Sequence, residues 1–296
     1  GHARGGARAP KLVIHLLMAL ICCATLYPFL IVLGSSFQSA ADIAKNGYSI
    51  IAEPFDLTAY KMVLSNPKQL LGSYWVTAYT TAITAVAGLW VTASYAYVLS
   101  RKDYRLRSLL SFYVFFTMLF NGGLVPTYIL FVNWLRVKNT PVALILPLLV
   151  NAWYILMMKG FMQEIPAALI ESAKIEGAGE LRIFARIVLP LSKPALATIG
   201  LFIMLGSWND WYQTLLYIDM DKYMKLQYLL LRLVKQIEFL NSAEAVQFGV
   251  VRDAASIPVE SARMAMCVLA AGPMLAIFPF FQKYFVRGIT IGSVKG

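Results

Sequence analysis

The chain has 296 residues, of which 59% are hydrophobic and 14% charged. That balance, with a mean hydropathy of +0.65, excludes an ordinary soluble domain, which keeps about a quarter of its residues charged. Two histidines and three cysteines, with Cys22 and Cys23 adjacent and Cys267 remote, leave no metal-ligand spacing, disulfide framework or histidine-based catalytic cluster.

The opening Gly1-His2-Ala3-Arg4-Gly5-Gly6 lacks an initiator methionine and reads as a leftover of expression, outside the fold. Residues 12–41 contain no Asp, Glu, Lys or Arg and follow Arg4, Arg8 and Lys11, so they form a signal peptide or a first spanning helix. A signal core runs to roughly 7–15 residues, and the greater length here favours the helix. Residues 69–100 make a second uncharged run, with Ala78, Ala82, Ala85 and Leu89 along one helical face. Small residues at that spacing predict close packing between helices in lipid. On the same run Thr77, Thr81 and Thr84 are candidates to line a transport path or, alternatively, to bond to their own helix backbone.

A third run, 108–135, is interrupted by Asn121-Gly122-Gly123 and Pro126, which predicts a helix that breaks or ends near the far interface. The fourth run is 139–158, charge returns over 159–193, and the fifth and sixth runs are 194–218 and 265–281. The connection 219–263 carries one amphipathic helix at about 223–239. With no strand-like alternation, the expected fold is all-α: a single polytopic domain over 12–282 with about six spans, an arm at 1–11 and a tail at 283–296.

Topology explains the net charge of +11. With the N-terminal arm inside, segments 101–107, 159–193 and 283–296 join it, and 15 of the 26 Lys and Arg fall on that side. Of the 15 Asp and Glu, 5 fall inside and 9 outside, with Asp210 left within the fifth span. This is a positive-inside bias, which places both termini in the cytoplasm. The basicity then belongs to topology and contact with anionic membrane lipid, and nucleic acid drops out as a partner.

Within the loop 159–193, Pro166 suits the first turn of a short helix to about Glu176, and Gly177 suits the position just past its end. A second helix follows at about 180–189, with Leu181, Phe184, Ile187 and Val188 as an apolar face and Arg182 and Arg186 together on another. Physics alone leaves two readings of this hairpin, an interfacial pair that caps the bundle or a docking element.

The residues Glu171-Ser172-Ala173, Glu176-Gly177-Ala178, Phe184, Ile187, Leu189-Pro190 and Pro194 resemble the EAA loop of binding-protein-dependent ABC importer permeases. The match departs at Ser172, where the family has Ala, and at Glu176, where it has Asp. The resemblance implies a type I ABC importer permease fold and a coupling helix that docks on a cytoplasmic ATPase, with Glu171 facing a basic group there. The C-terminus, including Gly288, Gly292 and Lys295, resembles the tail of the smaller permease of maltose-type and lipo-oligosaccharide-type importers, which reaches the ATPase dimer. Asn121-Gly122-Gly123-Leu124-Val125-Pro126-Thr127-Tyr128 is similar to the lipo-oligosaccharide group. The implied partners are a second homologous permease, an ABC ATPase dimer and an extracytoplasmic solute-binding protein, in a bacterial inner membrane. The implied cargo is a sugar or oligosaccharide, an acidic one such as an alginate fragment among the candidates.

No Gly-Lys dipeptide occurs, so a P-loop is missing and no enzyme activity is expected of this chain. ATP and Mg would bind the partner ATPase, and the chain itself calls for no cofactor and no metal. In the fifth span, Trp208, Asn209, Asp210, Trp211 and Tyr212 place polar and aromatic groups where apolar ones are expected. An acid at mid-membrane costs about 2.5–3.5 kcal/mol, so Asp210 should face a cavity, a partner or the interface. The aromatic residues beside it suit sugar rings in a path or an interfacial belt. The rivals are an ABC permease for an amino acid, peptide or phosphate and a self-sufficient secondary transporter, the latter wanting coupled intramembrane acids or paired discontinuous helices.

Overall fold

The computed structural model describes residues 8–242 and 258–292, with side chains over 13–242 and 258–280. All regular structure among the described residues is helical. Two compact units divide the chain, one built from 1–67 and 230–272 and the other from 68–229 and 273–296.

In the first unit, α1 (Arg8–Ser35) is apolar, and its residues 13–30 are exposed. An apolar helix with nothing packed on it is a surface for lipid. Its end is pinned. A Cβ on Gly34 would lie 2.1 Å from the Ile50 carbonyl oxygen, so only glycine lets the chain pass there. Beyond it, α2 (Ala40–Asn46) is capped by Ser39 and α3 (Thr58–Val63) follows. Phe37 joins these pieces, its ring centroid 4.9 Å from Phe55 and 5.0 Å from Tyr60.

The second unit is organised around α4 (Pro67–Ser100). Its buried face matches the predicted one only in part: Ala85 is buried and Leu89 packs against the core, but Ala78 and Ala82 are exposed, and Ser73, Thr77, Thr80, Thr81, Thr84, Gly88 and Thr92 are buried with Ala93 and Ala96. The correction has a physical reason. The Thr77 hydroxyl donates to the Ser73 carbonyl at 2.7 Å and Thr80 to Val76 at 2.6 Å, so these two threonines act as small residues with satisfied hydroxyls. A Cβ at Gly88 would lie 3.2 Å from the Leu149 carbonyl oxygen, which marks a close backbone approach.

The third run breaks where Asn121-Gly122-Gly123 predicts. Helix α5 (Arg107–Leu119) and α6 (Leu124–Ile129, continued by a π turn to Trp134) are bent by 110°. Gly123 takes φ +87°, and its N–H donates to the Asn121 side chain at 2.9 Å. The fourth run, predicted as continuous, bends by 49° between α7 (Val142–Ile145, extended to Leu148) and α8 (Ala152–Gln163). Pro147 supplies no N–H to the ladder, and Asn151 caps α8 by accepting from the Tyr154 N–H at 3.3 Å.

Helix α9 (Ala167–Ile175) is followed by α10 (Glu180–Ile183), which runs through a π turn into α11 (Leu189–Leu191) and bends by 81° into α12 (Lys193–Trp208). The fifth run is thus not one helix to residue 218. It ends at Trp208 with Asn209 as C-cap, and α13 (Tyr212–Tyr217) is a separate turn and a half. Helix α14 (Leu226–Leu240) matches the predicted amphipathic segment. The last helix, α15 (Val259–Gly292), outruns the predicted sixth span at both ends, so residues 283–292 continue a helix instead of starting a tail.

Among the described residues, three helices alone are long and apolar enough to cross a membrane, and the number reaches six when each bent pair counts as one span. Within the first unit, Arg263 on α15 holds Glu238 of α14 at 2.7 Å, and the Tyr48 hydroxyl donates to Glu260 at 3.0 Å.

Candidate functional site

The hairpin formed by α9 and α10 starts at Pro166, whose φ of −56° and ψ of 126° turn the chain into α9. It closes at Gly177, with φ +80°. There the Gly177 N–H donates to the Lys174 carbonyl at 3.0 Å and the Ala178 N–H to the Ala173 carbonyl at 2.9 Å. This pair of bonds is a Schellman motif, and it requires a residue that tolerates positive φ. Nothing lies within 4 Å of a Cβ built on Gly177, so backbone conformation alone selects glycine.

One face of the hairpin is packed. Ala173, Ile183, Phe184 and Val188 are buried in a cluster with Ala93, Ala96 and Tyr97 of α4, and Ala178 packs against it. The Phe184 ring sits 5.0 Å from Tyr97 and 5.8 Å from Trp90. The other face is open: Glu171, Ser172, Glu176, Arg182, Arg186 and Pro190 are exposed, and so are Leu169, Ile175 at 89% and Leu181 at 79%. Leu181 therefore leaves the predicted apolar face, and the buried Ile183 takes its place.

An ion network braces the hairpin from the side. Lys174 of α9 reaches Asp103 at 2.6 Å and Glu180 at 3.0 Å, while Arg101 reaches Asp103 at 2.8 Å and Glu180 at 3.6 Å. The Tyr97 hydroxyl also donates to Glu180. The Lys174 ammonium, with Arg101 assisting, holds the Asp103 carboxyl down at about 2, and the two carboxylates push Lys174 up. Sequence reasoning passed over this network, although its signal was present as acids embedded in two otherwise basic segments.

A second polar cluster forms where the fifth run breaks. Lys225, with none of its side chain exposed, lies 3.3 Å from Asp210 and donates to the Ser207 carbonyl. Burial pushes the Lys225 ammonium down, and Asp210 opposes that shift. Asp210 also accepts from the Gln213 N–H at 3.2 Å, and Asn209 accepts from Gln227 at 3.2 Å. The Thr77 hydroxyl accepts from the Leu226 N–H at 2.8 Å, and Thr81 bonds Ser207 at 3.3 Å. Of the path candidates, Thr77, Thr81 and Trp208 are thus buried in packing, and Asp210 has an internal partner. Asn209 is exposed, as are Trp211 at 42% and Tyr212 at 40%, their rings edge to face at 5.8 Å. Gly288 and Gly292 lie on α15, and Lys295 lies outside the described residues.

Residues 86–291 match the family described as binding-protein-dependent transport system inner membrane component. The chain is 39% identical to Protein LplC of Bacillus subtilis (strain 168) over 272 residues, covering 92% of this chain and 90% of that protein. It is 38% identical to the polygalacturonan/rhamnogalacturonan transport system permease protein YtcP of the same organism, over 95% of both chains. A solved bacterial ABC transporter involved in import of the acidic polysaccharide alginate contains a chain that aligns with TM-score 0.76 and 28% identity, covering 96% of this chain and 99% of that one.

Proposed function

Because the chain belongs to the family of binding-protein-dependent transport system inner membrane components, we propose that it is the permease of an ATP-driven oligosaccharide importer and that a separate ATPase drives it through the α9 hairpin. The observation that carries this reading is the outward set Leu169, Glu171, Ile175 and Leu181 on a hairpin whose other face is packed and braced. Exposed large apolar side chains grouped beside a carboxylate on a rigid element suit burial against a partner.

In this reading the hairpin lies on the cytoplasmic side with the other basic segments. Two ATPase subunits bind ATP and Mg, and their closure brings this hairpin toward its counterpart on a second permease. The push passes through Ala173, Ile183 and Phe184 into α4, and hydrolysis resets the bundle. The helical continuation through Gly288 and Gly292, with Lys295 beyond it, extends toward the same ATPase pair. A solute-binding protein on the opposite side delivers the cargo. The relatives named for polygalacturonan/rhamnogalacturonan and for alginate support an oligosaccharide that carries carboxylates.

The test is uptake by the assembled permease, ATPase and binding protein in vesicles. Glu171→Lys should leave membrane insertion intact and cut ATP-driven uptake by about tenfold or more, because charge reversal at a protein interface costs several kcal/mol. Uptake at the wild-type rate would refute the docking role.

A further inference from the structure

Two of the broken runs break at one place. A cavity of about 830 Å³ is lined by Tyr95 of α4, Tyr113 and Thr117 of α5, Asn121 at the break after α5, and Asn151 and Trp153 at the break before α8. Its volume falls within the usual range for small-molecule sites, about 300–1,000 Å³.

Irregular backbone at membrane depth survives only where it is buried in protein or borders a hydrated space, since lipid offers no hydrogen bonds. Both breaks carry an asparagine, and each uses its carbonyl oxygen locally, Asn121 on the Gly123 N–H at 2.9 Å and Asn151 on the Tyr154 N–H at 3.3 Å. Among the described residues, neither side-chain NH2 group has a hydrogen-bond acceptor, so each has donors to spare. Three rings and the aliphatic side chains of Val91, Val114, Met118, Val150, Ala152 and Ile155 complete the wall, with Trp153 56% and Tyr113 62% exposed. A lipid acyl chain would need none of these amides and phenols.

We propose that this cavity is a saccharide subsite of the transport path, which rests on the oligosaccharide reading above. A sugar ring presents C–H faces that stack on Tyr95, Tyr113 and Trp153, and hydroxyls that accept from Asn121 and Asn151. The lining contains no Lys, Arg, Asp or Glu, so the subsite recognises the ring and its hydroxyls and is indifferent to carboxylate charge. Selection for acidic saccharides then lies elsewhere in the assembly.

The experiment uses the full assembly in vesicles with trigalacturonate and maltotriose as probes. Trp153→Ala should raise the half-saturating concentration for the transported probe roughly tenfold, equivalent to about 1.4 kcal/mol. In a second measurement, Cys22, Cys23 and Cys267 are replaced and Trp153→Cys is labelled with a water-soluble maleimide. The transported probe should slow that labelling, and the other should slow it at comparable concentration. Unchanged saturation together with unprotected labelling, or labelling only by a lipophilic maleimide, would overturn the subsite while leaving saccharide transport standing. If the wild-type assembly moves neither probe, the oligosaccharide reading falls and the subsite with it.

Discussion

The braced hairpin and the break of the fifth run both hold opposite charges together, yet they stand in different dielectric settings. Around the hairpin the Asp103, Lys174 and Glu180 side chains are 53%, 39% and 54% exposed, whereas Lys225 and Asp210 are 0% and 8% exposed. Exposed pairs contribute about 0–1 kcal/mol each, and water replaces a lost partner. A buried pair gains little net stability over an apolar pair of the same shape, but breaking it strands a charge. Loss of a partner should therefore cost little stability in the first network and much in the second.

The largest effect should come from Lys225→Met, which leaves Asp210 without its buried cation. Stability should fall by about 3–5 kcal/mol, seen as lower thermal unfolding of the solubilised chain. Adding Asp210→Leu should recover part of that loss; an additive double variant would show that the two residues do not act as a pair. Phe184→Ala comes next, opening a void against Tyr97 and Trp90 at about 3 kcal/mol or more. Because this ring lies between hairpin and α4, uptake should fall in parallel with stability.

Gly177→Val should cost about 1–2 kcal/mol by forcing a β-branched residue into positive φ. Its effect should be read in coupling: ATP hydrolysis persists while uptake per ATP drops. Lys174→Met should be mildest for stability, because water replaces the lost ammonium around Asp103 and Glu180. Uptake should nevertheless fall measurably, and a charge-swapped Lys174→Asp with Asp103→Lys should restore part of it. With the Asp103 carboxyl at about 2 against an ordinary 3.8, its contribution is present above the ordinary carboxylate range and is lost as pH falls toward 2. Since Lys174 is raised, this network should produce no titration of uptake near neutral pH.

The hairpin was legible in the sequence because its turn depends on local backbone chemistry: Pro166 at the entry and Gly177 at the exit each leave few alternatives. The break at Asn121-Gly122-Gly123 was legible for the same reason. The predicted faces fared less well. Ala78 and Ala82 look like packing residues by size, but hydroxyls that bond to their own backbone let Thr77 and Thr80 occupy the interface instead. Leu181 and Ile183 are equally apolar, and their identity alone does not say which is buried. The Lys225 partnership had no local signature, since it joins a loop lysine to a helix end 15 residues earlier through tertiary packing.

The most direct test is side-specific labelling of Ile175→Cys, at the 89% exposed tip of the hairpin, in a background without Cys22, Cys23 and Cys267. In inverted vesicles an impermeant maleimide should modify it rapidly, and adding the purified ATPase should shield it. Modification from the outer face, or labelling indifferent to a bound ATPase, would contradict the account.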